Sequence, residues 1–152
     1  MHEQHLRNAI ALAQRNVEHE GGRPFGAVLV RNGELLATGV NRVLSTHDPT
    51  SHAEIEALRA ASASLRQSDL HGAIMYASAH PCPMCLAAMH FARVERAYYA
   101  YDLRDAEPYG FSTALLYAAL QKPLDDQSLL PLTHMPVRVA ELDPYAAWQA
   151  RH

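Results

Sequence analysis

The residues best suited to chemistry in this 152-residue chain lie in two short segments. His52 and Glu54 flank Ala53, and Cys82 and Cys85 follow within the sequence Pro-Cys-Pro-Met-Cys. One imidazole and two thiolates are suitable zinc ligands, and a catalytic zinc site uses three protein ligands and leaves its fourth position to water or hydroxide. The two segments therefore predict one zinc ion bound by His52, Cys82 and Cys85.

Glu54 is the candidate catalytic acid and base. Two thiolates and a neutral imidazole cancel the formal charge of Zn²⁺, so the metal should acidify its water less than a site of three histidines would. Glu54 can point into the same cavity as His52, take a proton from that water, and return it to a ring nitrogen or to departing ammonia. The order H-x-E and then P-C-x-x-C is typical of zinc-dependent deaminases, so we predict hydrolytic deamination.

The same residues have other interpretations. A C-x-x-C pair can be a redox motif, but prolines flank Cys82 and the thioredoxin-like setting is missing. A non-catalytic zinc module would need a fourth protein ligand, for which His80 and His90 are available. Glu54 could be a first-turn carboxylate that a helix dipole favours.

Composition limits the class of protein. With 49% hydrophobic and 19% charged residues, the chain is expected to form a single globular domain over residues 1–152. Its apolar stretches are too short for a membrane span, and the first residues do not resemble a signal peptide, so we expect a cytoplasmic protein without a membrane partner. The two cysteines are too close for a disulfide scaffold. A net charge of −3 and a single lysine, Lys122, make nucleic acid an unlikely partner.

Hydrophobic periodicity predicts the elements that position these residues. Helices are expected over residues 3–18, 53–65, 84–91, 113–121 and 145–151, and strands over 26–30, 35–40, 71–79, 94–101 and 137–142. Their alternation indicates an α/β fold, a three-layer α/β/α arrangement around a central five-stranded mixed sheet. His52 and Cys82 would then lie at helix starts, where the positive end of the helix stabilises thiolates.

A family resemblance runs along nearly the whole chain. It is carried by residues 24–27, 41, 48–54, 81–86, 99–100, 105–106, 110–111, 122–123 and 147–148. On these residues the sequence resembles the cytidine deaminase-like superfamily. The segments around Asp105 and Gly110-Phe111 are similar to the guanine deaminase branch rather than to the cytidine or tRNA-adenosine branches.

The resemblance implies an enzyme that hydrolyses a C–N bond of a cyclic amidine in a free nucleobase or related amino-heterocycle. Guanine, converted to xanthine and ammonia, is the first expectation. Alternatives are another small substrate, such as a nucleoside, cytosine, isoguanine, a pterin or an aminotriazine, and, less favoured, a tRNA adenosine.

The resemblance also implies roles for substrate-binding residues. Asn41 would hydrogen-bond the base, the backbone N–H of Ala53 would meet its carbonyl, Asp105 would read a ring N–H or amino group, and Phe25 would pack on the ring face. A homodimer is implied as well, in which C-terminal segments are exchanged.

Two departures from the family pattern give further candidate substrate-binding residues. His80 stands where the family usually has glutamate before Pro-Cys. The guanine branch closes the partner's site with an aromatic residue at the end of its tail, whereas here the chain ends at His152, soon after Trp148. We therefore expect a shorter lid, or one in which Trp148 and His152 serve instead.

Overall fold

The computed structural model describes all residues from Met1 to His152, in two compact units, Met1–Ala118 and Ala119–His152. The first unit contains strands β1 (Gly26–Arg31), β2 (Glu34–Val40), β3 (Ala73–Ala79) and β4 (Arg96–Tyr101), with helices α1 (His2–Glu20), α2 (Val43–Thr46), α3 (Ala53–Leu65), α4 (Pro83–Phe91) and α5 (Leu103–Ala106). Helix α6 (Ala114–Leu120) runs across the boundary, and the second unit contains α7 (Pro144–Gln149). Short 3₁₀ turns cover Glu107–Tyr109 and Leu124–Asp126.

The sheet is mixed, with strand order β2-β1-β3-β4. Strand β1 runs antiparallel to both β2 and β3, and β3 runs parallel to β4. The tight turn that Asn32-Gly33 predicts joins β1 to β2, and α4 provides the crossover that two parallel strands need. The predicted α/β class and mixed sheet are confirmed.

Strand β1 is buried on both faces because successive side chains point to opposite sides of a sheet. Ala27 and Leu29 belong to a core cluster that includes residues of α3 and α4, whereas Val28 and Val30 pack with Ala9 of α1. This explains the continuous apolar run in the sequence: helices pack on β1 from either side.

Two glycines allow helices to approach the sheet closely. A Cβ atom at Gly39 of β2 would lie 2.1 Å from the carbonyl oxygen of Ala53, and one at Gly26 of β1 would lie 2.3 Å from that of Ala9. Only a residue without a side chain fits at such distances. Gly39 therefore fixes the start of α3, which carries His52 and Glu54, against β2.

The prediction of a fifth strand is wrong. Residues 137–142 contain one isolated bridge, between Val139 and Leu142, and the sheet has four strands. The Val-Arg-Val alternation of residues 137–139 is typical of a strand, yet the side chains of Val137 and Val139 are 68% and 59% exposed. An alternating pattern forms a strand only where a neighbouring strand accepts its hydrogen bonds. Here the bridge lies within residues 139–142, and no strand of the sheet pairs with this segment.

None of the helices combines the length and apolar character that crossing a lipid bilayer requires. The expectation of a single domain over residues 1–152 stays a prediction.

Candidate metal centre and substrate pocket

Two helix starts bring the predicted zinc ligands together. His52 and Cys82 occupy the extended positions immediately before α3 and α4, and Cys85 follows in the first turn of α4. Pro83 at the start of α4 suits a first helical turn because its missing N–H would have no helical partner. The unpaired N–H groups and positive dipole at both helix starts favour deprotonated ligands.

The geometry of the three ligand atoms fits one zinc ion. The Nδ1 atom of His52 lies 3.5 Å from the Sγ atom of Cys82 and 3.6 Å from that of Cys85, and all three atoms lie within 4.8 Å of one another. In a tetrahedral site, bonds of about 2.3 Å to sulfur and about 2.0–2.1 Å to nitrogen place nitrogen and sulfur about 3.6 Å apart. His52, Cys82 and Cys85 are therefore positioned to bind one metal ion, with Nδ1 as the histidine ligand atom.

The two cysteines differ in their protonation. A hydrogen bond from the Cys85 thiol lowers the pKa of Cys82 to about 4, although burial opposes the shift. That hydrogen bond, together with burial, raises the pKa of Cys85. The hydrogen bond with Cys82 also raises the pKa of His52. The lowered pKa of Cys82 favours its thiolate, which is the form that binds a metal.

Glu54 lies directly beside the ligand atoms. Its side chain is buried in the first turn of α3, and its Oε2 atom lies 3.4 Å from Cys85 Sγ. Burial raises the pKa of this carboxyl group, because water no longer stabilises its charge. A carboxyl group with a raised pKa is suited to exchanging protons near neutral pH.

A cavity of about 210 Å³ opens beside the metal ligands. His52, Glu54 and Cys82 line it, and so do three of the predicted substrate-binding residues, namely Phe25, Asn41 and His80. Sites for drug-sized ligands usually measure about 300–1,000 Å³, so this cavity suits a bare heterocycle better than a larger substrate.

Phe25 and Asn41 provide different contacts in this cavity. The ring of Phe25 meets the edge of Phe111 at a centroid distance of 5.2 Å and an angle of 89°, which fixes its orientation. Asn41 is 2% exposed, and its Oδ1 atom accepts a hydrogen bond of 3.2 Å from the N–H of Val43. The amide nitrogen of Asn41 makes no hydrogen bond to the protein, so it is free to donate to a ligand.

Ala53 begins helix α3 and is buried. Its N–H belongs to the first-turn donors that a helix leaves unpaired. Ala53 follows the metal ligand His52 directly, but it is not among the residues that line the cavity.

The ring of His80 is held by three neighbours. Its Nδ1 atom lies 2.9 Å from the carbonyl oxygen of Pro81, and its ring packs against Tyr99 and Tyr117 at centroid distances of 4.6 and 5.4 Å. Because a carbonyl oxygen only accepts hydrogen bonds, Nδ1 must carry the proton. In the neutral ring Nε2 is then an acceptor.

The structure does not bring Asp105 to this cavity. Its carboxylate accepts a hydrogen bond of 2.8 Å from the N–H of Asp102, and the Asp102 carboxylate caps α5 in return.

Trp148 belongs to the second unit, where it is 65% exposed and its ring stacks on His152 at a centroid distance of 3.6 Å.

Further residues that sequence patterns did not indicate also line the cavity, among them Arg23, Ser78 and Thr113. Ser78 Oγ accepts a hydrogen bond of 3.0 Å from the N–H of Gly26, and Thr113 Oγ1 is buried without a partner. Arg23 immediately precedes Pro24-Phe25, so its closeness to a candidate ring-stacking residue was a signal in the sequence. Nothing in the sequence connects Ser78 or Thr113 to the metal motif.

The mixed sheet, with a histidine and two cysteines at the starts of two helices and a buried glutamate among them, defines a zinc-dependent deaminase domain. Residues 1–101 match the family model of the cytidine and deoxycytidylate deaminase zinc-binding region. The chain belongs to this family.

Two relatives differ in how much of the chain they match. Guanine deaminase of Bacillus subtilis is 38% identical over 148 residues, which cover 97% of this chain and 94% of the relative. A tRNA-specific adenosine deaminase of Agrobacterium fabrum is 47% identical, but over 76 residues that cover 50% of each protein.

Solved structures agree with the first of these matches. The crystal structure of Bacillus subtilis guanine deaminase superposes with a TM-score of 0.88 at 38% identity, covering 99% of this chain and 94% of that one. A guanine deaminase from Nitrosomonas europaea gives a TM-score of 0.68 at 31% identity, covering 72% of this chain and 64% of that one.

Proposed function

We propose that this protein hydrolyses guanine to xanthine and ammonia. The observation that carries the proposal is the match to guanine deaminase over 97% of this chain and 94% of that relative. The cavity of about 210 Å³ supports a free base, because a ribose or a nucleotide chain would need more room.

His52, Cys82 and Cys85 would hold the zinc ion. When bound, zinc supplies the Lewis acidity that lets water act as a nucleophile near neutral pH. The thiolate character of Cys82 and the helix starts that carry Cys82 and Cys85 prepare the ligands for a cation. Because both cysteines must stay reduced, we place the protein in the cytoplasm.

Glu54 would move the protons. Its carboxylate accepts a proton from the attacking water while a C–O bond forms at the ring carbon that bears the amino group. The same carboxyl group then gives this proton to the adjacent ring nitrogen. Next it transfers the remaining proton of the added hydroxyl to the amino nitrogen as the C–N bond breaks and ammonia leaves. Its burial beside Cys85 supports both directions of transfer.

Four neighbours would orient the ring. Phe25 packs on its face, the free amide N–H groups of Asn41 donate to a ring acceptor, and the N–H of Ala53 donates to the carbonyl oxygen. His80 would accept a hydrogen bond from a ring N–H through Nε2, since Pro81 holds its other nitrogen. This arrangement favours a ring that has donors and acceptors on different edges.

Asp105 remains a proposed reader of a ring N–H or amino group. It would have to release the N–H of Asp102, with which it now forms a hydrogen bond of 2.8 Å. A substrate with adjacent donors could compensate for that loss, because charged acceptors form the stronger hydrogen bonds.

We also propose a homodimer that exchanges C-terminal segments and thereby gives Trp148 a place near a substrate. Strand β4 is an edge strand with Tyr99 and Tyr101 exposed, and the neighbouring helix α4 exposes Leu86 and Phe91. Edge strands with exposed apolar side chains are typical of interfaces. Light scattering coupled to size-exclusion chromatography tests the dimer, and a monomeric mass would contradict it.

The three-layer arrangement of the fold stays a proposal that rests on the helices packed on either side of β1.

Ammonia release from the zinc-loaded protein tests the substrate. The panel is guanine, guanosine, adenine, isoguanine, cytosine, cytidine, ammeline and a pterin, each with a matched Glu54→Gln control. Turnover of guanine supports the proposal. Turnover of another compound but not guanine would reject guanine and retain deamination, and no ammonia from any compound would reject both.

A tRNA adenosine is the second candidate, because the local identity to the Agrobacterium fabrum enzyme reaches 47%. The net charge of −3 and the single lysine argue against a polyanionic partner. A tRNA binding assay at two salt concentrations decides this point, since phosphate contacts would make the affinity strongly salt-dependent.

A further inference from the structure

One cationic side chain lines the substrate cavity without a role in the proposed reaction. Arg23 shares the cavity wall with Phe25, His52 and His80. The five ion pairs of the structure do not involve its guanidinium group. A guanidinium group of a cavity-lining arginine that has no ion-pair partner is well placed to bind an anionic ligand, because it presents its donors in a planar fork.

The backbone of Arg23 is held by two hydrogen bonds. Its carbonyl oxygen accepts hydrogen bonds of 2.8 Å from both the side-chain amide of Asn16 and the N–H of Phe25. Asn16 itself is 3% exposed. The guanidinium group therefore extends from a rigid base, which reduces the entropy lost when it binds a ligand.

No other charged group of the cavity forms an ion pair with Arg23. Zinc with two thiolates and a neutral imidazole would carry no net charge, and the Oε2 atom of the Glu54 carboxyl group lies against Cys85 Sγ at 3.4 Å. A substrate that carries negative charge on an edge away from the reacting amino group would supply the missing partner.

We propose that Arg23 is a specificity-determining residue that selects amino-heterocycles with an anionic ring edge over neutral rings of the same shape. The inference deepens the proposed function and rests on it for the identity of the pocket. Guanine, which is neutral near pH 7, should then bind less tightly than an analogue of the same shape that is anionic at that pH.

Guanine and 8-azaguanine form a matched pair of probes. They have the same shape, but replacement of one ring C–H by nitrogen makes 8-azaguanine the stronger acid, so near neutral pH it carries the negative charge that guanine lacks. Dissociation constants are measured by calorimetry on the zinc-loaded Glu54→Gln protein, which should bind without turnover. Arg23→Gln in this background should weaken 8-azaguanine by about tenfold and guanine by less than about twofold.

Two further variants complete the test. Arg23→Lys keeps the charge but not the fork, so it should give an intermediate loss for 8-azaguanine, and it replaces Arg23→Gln if that protein fails to fold. Arg15→Gln removes an exposed arginine of α1 outside this cavity and should change neither constant. Equal changes for both ligands, or no change, would overturn the proposal.

Failure of this inference is distinguishable from failure of the proposed function. If the unmodified zinc-loaded protein releases no ammonia from guanine, the proposed function fails whatever the ratio of the two dissociation constants. If guanine is deaminated but the ratio does not depend on Arg23, the inference alone fails.

Discussion

The two sides of the substrate cavity are built differently. On the metal side, His52, Glu54, Cys82 and Cys85 lie at the starts of two helices, and Glu54 and both cysteines are buried. The remaining lining residues, which we call the opposite side, include residues such as Arg23 that come from connecting segments and are only partly buried. In the proposed reaction, bond breaking would thus rest on rigid elements, and recognition of the ring would rest largely on loops, where sequence changes disturb the fold least.

This difference predicts that substitutions on the metal side abolish the reaction, whereas those on the opposite side change which ring is bound. The four substitutions below test that division.

Cys85→Ala should have the largest effect. It removes a fully buried ligand atom that lies 3.6 Å from His52 Nδ1, and the two remaining ligands cannot hold a catalytic zinc ion. Zinc content, measured by atomic absorption on the purified protein, should fall from about one ion per chain to near zero, and ammonia release should fall to background. Full zinc content in this variant would contradict the assigned ligand set. Met84→Ala, between the two cysteines, is the matched control and should retain zinc.

Glu54→Gln should lower kcat by about 10²–10⁴-fold while zinc content stays at the level of the unmodified protein. The amide has the shape of the carboxylate but cannot accept and return the proton. Glu56→Gln, two residues along the same helix, removes a carboxylate that faces Ser51 and Arg59 and should leave kcat nearly unchanged. Comparable losses of kcat in both variants would show that kcat depends on the negative charge at the start of α3 and not on proton transfer by Glu54.

The metal side could be predicted from the sequence, because its ligands form two short local patterns and their helix starts have local signals such as Pro83. Short-range patterns also predicted the turn between β1 and β2 and the approximate bounds of most helices and strands. The fifth strand was predicted wrongly because alternation describes which face a residue would occupy and not whether a partner strand exists.

The opposite side could be predicted only in part. Phe25 and Asn41 came from a family resemblance, whereas Arg23 and Thr113 reach the cavity through long-range packing that no local spacing records. Asp105 illustrates the same limit, because its capping hydrogen bond with Asp102 depends on where the chain turns after β4. The sequence shows the type of each residue, but not which other residues it contacts in the folded chain.

Gly39→Ala tests the packing that supports the metal side. The added Cβ atom would lie 2.1 Å from the Ala53 carbonyl oxygen and 2.6 Å from the Ala57 nitrogen, so α3 must shift away from β2. We expect a loss of about 1–3 kcal/mol in the free energy of unfolding, together with reduced kcat. Gly33→Ala is the control: a Cβ there meets nothing within 4 Å, and only its backbone φ of +81° is unfavourable. Urea denaturation should show that it loses stability without a change in kcat, whereas equal kcat losses would contradict the packing argument.

Asn16→Ala should have the smallest effect and acts on the opposite side of the cavity. The Asn16 amide donates hydrogen bonds of 2.8 and 2.9 Å to the carbonyl oxygens of Arg23 and Asn41, and so ties two segments of the cavity wall together. Without this donor the wall can open, which we expect to weaken substrate binding by about 1 kcal/mol and to raise KM about fivefold. Because the metal side keeps its helix starts, kcat and zinc content should hardly change.

The variant Asn16→Asp separates the lost donor from the lost volume. It has nearly the same shape, but its carboxylate would face two carbonyl oxygens, so KM should rise at least as much as in Asn16→Ala. Asn8→Ala, on an exposed position of the same helix, should leave KM unchanged. If kcat fell with KM unaltered, the two sides of the cavity would be coupled through α1, and recognition and chemistry could not be assigned to separate regions of the molecule.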